Sequence, residues 1–192
     1  MREFAKSYLG ELIDNFRSFE VSDVKGEKFD VYETIEKVVQ IVTDRSLAGQ
    51  KLMFIGNGAS AAISSHMATD YWKNGGIRAV AFNDSSLLTC VSNDYGYKHV
   101  FEKPIEMFAD AGDILFAISS SGNSENILRT CGVAQKTDGR IITMSGFSRA
   151  RGNALVPGES IRPSMTTLAT CTPCSEYSSV STWARLRIIT RG

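Results

Sequence analysis

Seven consecutive positions, Ser119-Ser120-Ser121-Gly122-Asn123-Ser124-Glu125, gather four hydroxyls and a carboxamide into one short stretch. The stretch follows the apolar run Asp113–Ile118 and precedes a segment with apolar residues at helical spacing (Ile127, Leu128, Cys131, Ala134). It therefore falls at the carboxyl end of a predicted strand and the amino end of a predicted helix. The first N–H groups of a helix have no intrahelical acceptor, and together with serine hydroxyls they can donate several hydrogen bonds to phosphate oxygens. No lysine accompanies them, which separates this loop from a nucleoside-triphosphate P-loop. Neutral donors suit a sugar monophosphate that must bind and leave. Helix capping would explain Ser124 or Asn123 alone, but not the cluster.

A second loop, Gly56-Asn57-Gly58-Ala59-Ser60, follows another apolar run and leads straight into a helical segment. Glycine there permits a tight turn and a close approach of backbone to ligand, and the helix start again favours an anion. A plain strand-to-helix turn would account for these glycines equally well. The helix after this loop carries His66 and, four residues on, Asp70, a spacing that puts both on one helical face.

The elements that must position these residues can be read from periodicity. Residues 1 to about 20 predict an amphipathic helix with Phe4, Tyr8, Leu12, Phe16 and Phe19 along it. A polar stretch from Ser22 to Lys28 breaks it, and a second helix starts near Asp30, with Ile35, Val38, Val39 and Val42 on one face and Gly49 at its end. Then come four short apolar runs, Lys51–Ile55, Arg78–Phe82, Asp113–Ile118 and Arg140–Met144, separated by helical segments. Continuous apolar runs are the mark of parallel strands buried on both faces, and their alternation with helices predicts an α/β doubly wound sheet. Ligands bind such sheets beyond the carboxyl ends of the strands, where both loops fall.

Composition narrows the rest. A chain of 192 residues with 43% hydrophobic and 22% charged residues makes one ordinary domain. Its net charge of zero gives no basic stripe, so direct nucleic acid binding is not expected. No apolar run approaches the roughly 18 residues that span a bilayer, and the charged start Met1-Arg-Glu-Phe-Ala-Lys is unlike a signal peptide. No membrane association and a cytoplasmic location are expected. Cys90 and Cys131 sit among apolar neighbours and read as buried free thiols, whereas Cys171-x-x-Cys174 lacks the further ligands of a zinc site.

The ordered set Gly56-Asn-Gly-Ala-Ser60, Asn93-Asp94-Tyr95-Gly96 and Ser119-Ser-Ser-Gly-Asn-Ser124 resembles the three signature loops of the SIS (phosphosugar-binding) family, in particular its phosphoheptose isomerase group. The resemblance covers residues 1 to about 147. It implies a SIS-type five-stranded parallel sheet flanked by helices, a homotetramer with sites between subunits, and a phosphorylated sugar as ligand. The activity implied is the ketose–aldose isomerisation of sedoheptulose 7-phosphate through an enediol, supplying heptose for lipopolysaccharide or capsule. On this resemblance Ser119, Ser120, Ser121 and Ser124 hold the phosphate, Asn57 and Ser60 add donors from the first loop, and Asp94 lies near the sugar hydroxyls. His66 and Asp70 match a histidine–glutamate pair that moves protons and, in some members, ligates zinc; no cofactor beyond such a zinc is implied. The chemistry suits such a pair, since isomerisation needs a base at one carbon and an acid at the neighbouring oxygen. Two positions depart from the family. Aspartate replaces glutamate at 70, withdrawing the carboxylate by about 1.5 Å, and no histidine follows His99. An alternative within the same fold is a sugar-phosphate-binding protein without turnover, or a tetrameric adaptor of a replication initiator.

From Phe147 the composition changes: six arginines, no lysine and two acidic residues give a local net charge of +4, and three of the four prolines fall here. The expected division is a domain over 1–147 with its N-terminal helical segment and an atypical tail over 148–192. A shift of reading frame just after Phe147 would account for the tail's composition, and a basic interaction arm would do so too.

Overall fold

The structure, a computed structural model, describes residues 1–17, 20–23, 27–146 and 162–164. Helix α1 (Arg2–Arg17) leads into a small antiparallel sheet of β1 (Glu20–Ser22) and β2 (Lys28–Phe29), joined on the other side of β1 by β7 (Arg162–Ser164). Helix α2 (Val31–Leu47) follows, its N-terminus capped by the Asp30 carboxylate, which accepts from the N–H groups of Tyr32 (2.9 Å) and Glu33 (3.0 Å). The body then alternates β3 (Leu52–Gly56), α3 (Ala59–Gly75), β4 (Ala79–Ala81), α4 (Ser85–Tyr95), α5 (Glu102–Phe108), β5 (Ile114–Ile118), α6 (Glu125–Ala134) and β6 (Arg140–Met144). These four strands form a parallel sheet in the order β4-β3-β5-β6. Strand order reverses direction between β3 and β5, and both serine- and glycine-bearing loops leave from those two strands at their carboxyl ends.

Side chains alternate across this sheet, yet both faces are apolar. Leu52, Phe54, Ile114, Phe116, Ile118, Ile142 and Met144 point to one side, where they pack against Val38, Val39 and Val42 of α2 and Ile63, Met67 and Tyr71 of α3. Met53, Ile55, Leu115, Ala117 and Ile141 point to the other, against Phe101, Ile105 and the Ile127, Cys131 and Ala134 face of α6. Burial on both sides explains why the strands read as unbroken apolar runs. At the opposite end of the sheet from the loops, Asp113 is 1% exposed. Its carboxylate accepts from the backbone N–H groups of Lys51 (2.8 Å) and Asp110 (2.7 Å) and pairs with the Lys51 ammonium, tying the start of β3 to the start of β5. Burial alone would lower the Lys51 pKa, but hydrogen bonds to Asp110 and Asp113 outweigh it and raise the value.

Three expectations change. The Ser22–Lys28 stretch is flanked by two short strands, too brief and too polar for their pairing to show in the sequence. Asn93, Asp94 and Tyr95 are the last residues of α4, not a loop, and only Gly96 lies beyond it. Cys90 is exposed, unlike Cys131, because α4 turns Leu87, Leu88 and Val91 toward the core and Cys90 away from it. The parallel sheet has four strands among the described residues. Apart from Arg162–Ser164, the expectations for residues 148–192, including Cys171, Cys174 and the shifted frame, lie outside the described residues.

Candidate functional site

Ladder bonding between β5 and β6 does not stop at the strand ends. The Ser119 N–H donates to the Met144 carbonyl and the Gly146 N–H to the Ser120 carbonyl, both at 2.9 Å, so the serine loop begins as an extension of the sheet. It then turns at Gly122, whose φ of +68° favours glycine. Ser121 Oγ accepts from the Asn123 N–H at 3.1 Å, and Ser119 Oγ donates to Ser124 Oγ at 3.2 Å. These bonds fix the loop while leaving the hydroxyl protons of Ser121 and Ser124 uncommitted.

Ser124 is the N-cap of α6, but its side chain caps nothing. Among the described residues, the backbone N–H groups of Glu125 and Asn126 meet no intramolecular acceptor. A helix start of this kind normally takes a capping oxygen. Here the cap is absent, and the preceding loop carries four hydroxyls, an arrangement that suits an anion. The nearby Glu125 carboxylate is held below its ordinary range chiefly by its hydrogen bond from Arg129, with smaller help from Lys98 and His99, so its charge is partly neutralised.

The first loop meets the second. A side chain at Gly56 would place its Cβ 2.6 Å from the Ser60 carbonyl carbon, so only glycine lets β3 run this close to the start of α3. Gly58 adopts φ +56° and ψ −123° and provides no side-chain cap for α3. Asn57 forms a reciprocal pair with Asn126: its Nδ2 donates to Asn126 Oδ1 at 3.0 Å, and Asn126 Nδ2 donates back to Asn57 Oδ1 at 2.9 Å. Tyr97 Oη donates to the same Asn57 Oδ1 at 2.9 Å. Sequence reading missed Asn126 and Tyr97, since neither residue type nor spacing separates them from ordinary helix and turn residues.

The structure thus brings Asn57, Ser119, Ser120, Ser121 and Ser124 to one end of the sheet, with Ser60 in the first turn of α3. His66 and Asp70 stand on that same helix, 3.5 Å apart between Nε2 and Oδ2, and Asn74 Nδ2 donates to the other Asp70 oxygen at 2.8 Å. At the helical rise they lie about 9 Å and about 15 Å along the axis from Ser60. The His66 side chain is 57% exposed. Asp94 is exposed at the end of α4, where it accepts from Asn93 Nδ2 at 3.0 Å, and no described hydrogen bond links it to either loop. The other histidine, His99, is engaged through Nδ1 by Glu102. For zinc, His66 and Asp70 offer two ligands, and among the described residues no group of three histidine, cysteine or acidic side chains gathers around one point. A tetrahedral zinc takes four ligands, or three and a water, so this donor set does not hold the metal by itself.

Comparison with known proteins agrees with this fold. The family model described as "SIS domain" matches residues 27–146. The chain is similar to the phosphoheptose isomerase of Akkermansia muciniphila, 36% identical over 152 residues, 76% of either chain. It is also similar to that of Helicobacter hepaticus, 34% identical over 141 residues, 70% of this chain and 72% of the relative. In fold it matches the solved phosphoheptose isomerase from Neisseria gonorrhoeae with a TM-score of 0.81 at 23% identity, covering 99% of this chain and 98% of the other. The corresponding enzyme from Francisella tularensis gives a TM-score of 0.75 at 22% identity, over 99% and 95%.

Proposed function

The chain belongs to the SIS domain family, and from that premise we propose that it is a phosphosugar isomerase that interconverts sedoheptulose 7-phosphate and the corresponding aldoheptose phosphate. The observation that carries the reading is the uncapped start of α6, where a loop bearing Ser120, Ser121 and Ser124 leads into two open N–H groups. These neutral donors hold a phosphate without the charge that would retain it after turnover. Relatives at 34–39% identity bear the name phosphoheptose isomerase, which puts this reading ahead of a non-catalytic adaptor.

In an isomerisation through an enediol, a base takes the proton from the carbon beside the carbonyl while an acid protonates the carbonyl oxygen. Asp70 and His66 are the pair for these steps: the carboxylate is steadied by Asn74, and the imidazole faces solvent beside it. Their distance along α3 from Ser60 of the same chain is best met by a site shared between subunits. A homotetramer would supply one. Support comes from α1, where Phe4 (72% exposed), Leu9 (56%) and Ile13 (52%) are left without cover by the chain's own core. Asp94, exposed at the end of α4, is the group we assign to the sugar hydroxyls. The steps assigned here rest on protein groups alone; His66 and Asp70 supply two of the ligands that a zinc would need. Among the described residues no helix is long and apolar enough to cross a membrane.

The test is Ser121→Ala, assayed with sedoheptulose 7-phosphate by calorimetry and turnover. A lost hydrogen bond to a charged group is worth about 1.5–3 kcal/mol, so affinity should fall about tenfold or more. Unchanged affinity would remove the loop from the site.

A further inference from the structure

We infer that Asn126 is a positioning residue, which together with the Tyr97 hydroxyl locks the amide of Asn57 so that the first loop presents a hydrogen-bond donor to the sugar phosphate. The inference rests on the phosphosugar reading above and deepens it. Asn126 is 4% exposed, and its side chain is bonded on both ends. Its Oδ1 accepts from Asn57 Nδ2 at 3.0 Å and from the Ile127 N–H at 3.0 Å, while its Nδ2 donates to Asn57 Oδ1 at 2.9 Å.

The count of donors and acceptors decides the orientation. Asn57 Oδ1 has two lone pairs, and both are taken, one by Asn126 Nδ2 and one by Tyr97 Oη. Asn57 Nδ2 has two hydrogens, of which the described bonds use one. What Asn57 has left to offer is therefore an N–H and not a carbonyl oxygen. A flipped amide would turn its oxygen toward the ligand and set like dipoles against each other in the pair with Asn126. It would also leave Tyr97 without its acceptor. The backbone of Asn126 opens the α6 start, so one residue supplies an anion-facing N–H from its main chain and fixes the neighbouring loop with its side chain. Two apolar side chains could fill the same space, but they would not set which face of the Asn57 amide meets the phosphate. Since both strands end in these loops, the pair also holds the end of β3 to the start of α6, across 69 positions of sequence.

The test is a double-mutant cycle on the full chain, reading the dissociation constant for sedoheptulose 7-phosphate by calorimetry and the melting temperature of each variant. Asn126→Ala should weaken binding about tenfold, as a misplaced positioning contact does, and should weaken it little further in an Asn57→Ala background, because Asn126 acts through Asn57. A purely structural role would lower the melting temperature with affinity unchanged, or give equal losses in both backgrounds; either result overturns the inference. Should Asn126→Ala fail to fold, Tyr97→Phe carries the same cycle, since Tyr97 is 55% exposed and lies outside the core. It removes one of the two bonds to Asn57 Oδ1, so a loss of about threefold is expected, the scale of a single net hydrogen bond, disappearing in the Asn57→Ala background. No loss, or the same loss in both backgrounds, would again overturn it. If Asn57→Ala binds like the wild type while Ser121→Ala does not, this inference fails and the phosphosugar reading stands. If the wild-type chain does not bind the sugar phosphate, that reading fails and takes the inference with it.

Discussion

Replacing Gly56 by alanine tests whether the site depends on the close approach of β3 to α3. A Cβ at this position would lie 2.6 Å from the Ser60 carbonyl carbon, 2.6 Å from its oxygen and 2.7 Å from its Cβ, whereas ordinary contact begins at 3.4 Å. Two of those three atoms belong to the backbone, so no side-chain rotation relieves the clash. The start of α3 must withdraw by about 0.8 Å or β3 must bend, and overpacking of this kind costs about 1–3 kcal/mol. For a chain of this size each kcal/mol is worth about 2–4 °C, so the melting temperature should drop by about 2–12 °C. Asn57 and Ser60 move with the helix, and a shift near 1 Å in a substrate-holding element costs up to about a hundredfold in rate. Gly132→Ala serves as the control. It sits inside α6, where an added Cβ would meet nothing within 4 Å, so it should gain about 0.5–1 kcal/mol from helix propensity. Thermal melts and calorimetric titration with sedoheptulose 7-phosphate on both variants decide the matter. A Gly56→Ala protein that melts and binds like the wild type would refute the claimed close approach.

Other outcomes follow from features already described. Asp113→Ala leaves two backbone donors without their acceptor while Lys51 keeps Asp110; a loss of about 2–5 kcal/mol is expected on denaturant unfolding. Asp70→Asn should reduce turnover by about 10²–10⁴-fold while sugar-phosphate affinity at the serine loop is retained; equal loss of both would mean that Asp70 supports the fold and not the proton step. The pH dependence has a defined sign. Asp110 and Glu125 have folded values below their ordinary 3.8 and 4.5 because of Lys51 and Arg129, so their contribution is present above those values and is lost as pH falls through the folded ones. Lys51 is raised above 10.5, so its contribution is present below that pH and fades as pH climbs past the folded value. A stability profile by chemical denaturation that rises below about pH 3.5 would contradict the first assignment.

The four strands of the parallel sheet were legible because burial on both faces leaves no polar position to interrupt a run such as Leu52–Ile55 or Ile114–Ile118. The serine loop was legible because four hydroxyls exceed what one helix cap requires. Helix α4 was legible from the Asp84 cap and the Leu87, Leu88, Val91 spacing, whereas the family resemblance put Asn93–Gly96 in a loop. The Asn57–Asn126–Tyr97 cluster was not legible. Its members come from three separate segments, and each uses a common residue type whose partner only the fold supplies. The separation of His66 and Asp70 from Ser60 follows from helical rise alone.

Strand β3 lies inside the sheet, with β4 on one edge and β5 on the other, and its five residues are all buried. During synthesis its neighbours arrive at very different times. The β4 partner emerges soon afterwards, but β5 is completed only at Ile118, some 62 positions later. At about 5–20 residues per second the ribosome takes about 3–12 s to deliver it. Through that interval the run Leu52-Met53-Phe54-Ile55 has an open hydrogen-bonding edge, the kind of surface that pairs with other nascent chains. Slowed translation between Ala81 and Ile114 would lengthen this exposure and raise the demand of this protein on chaperones, even though its finished sheet conceals the segment completely.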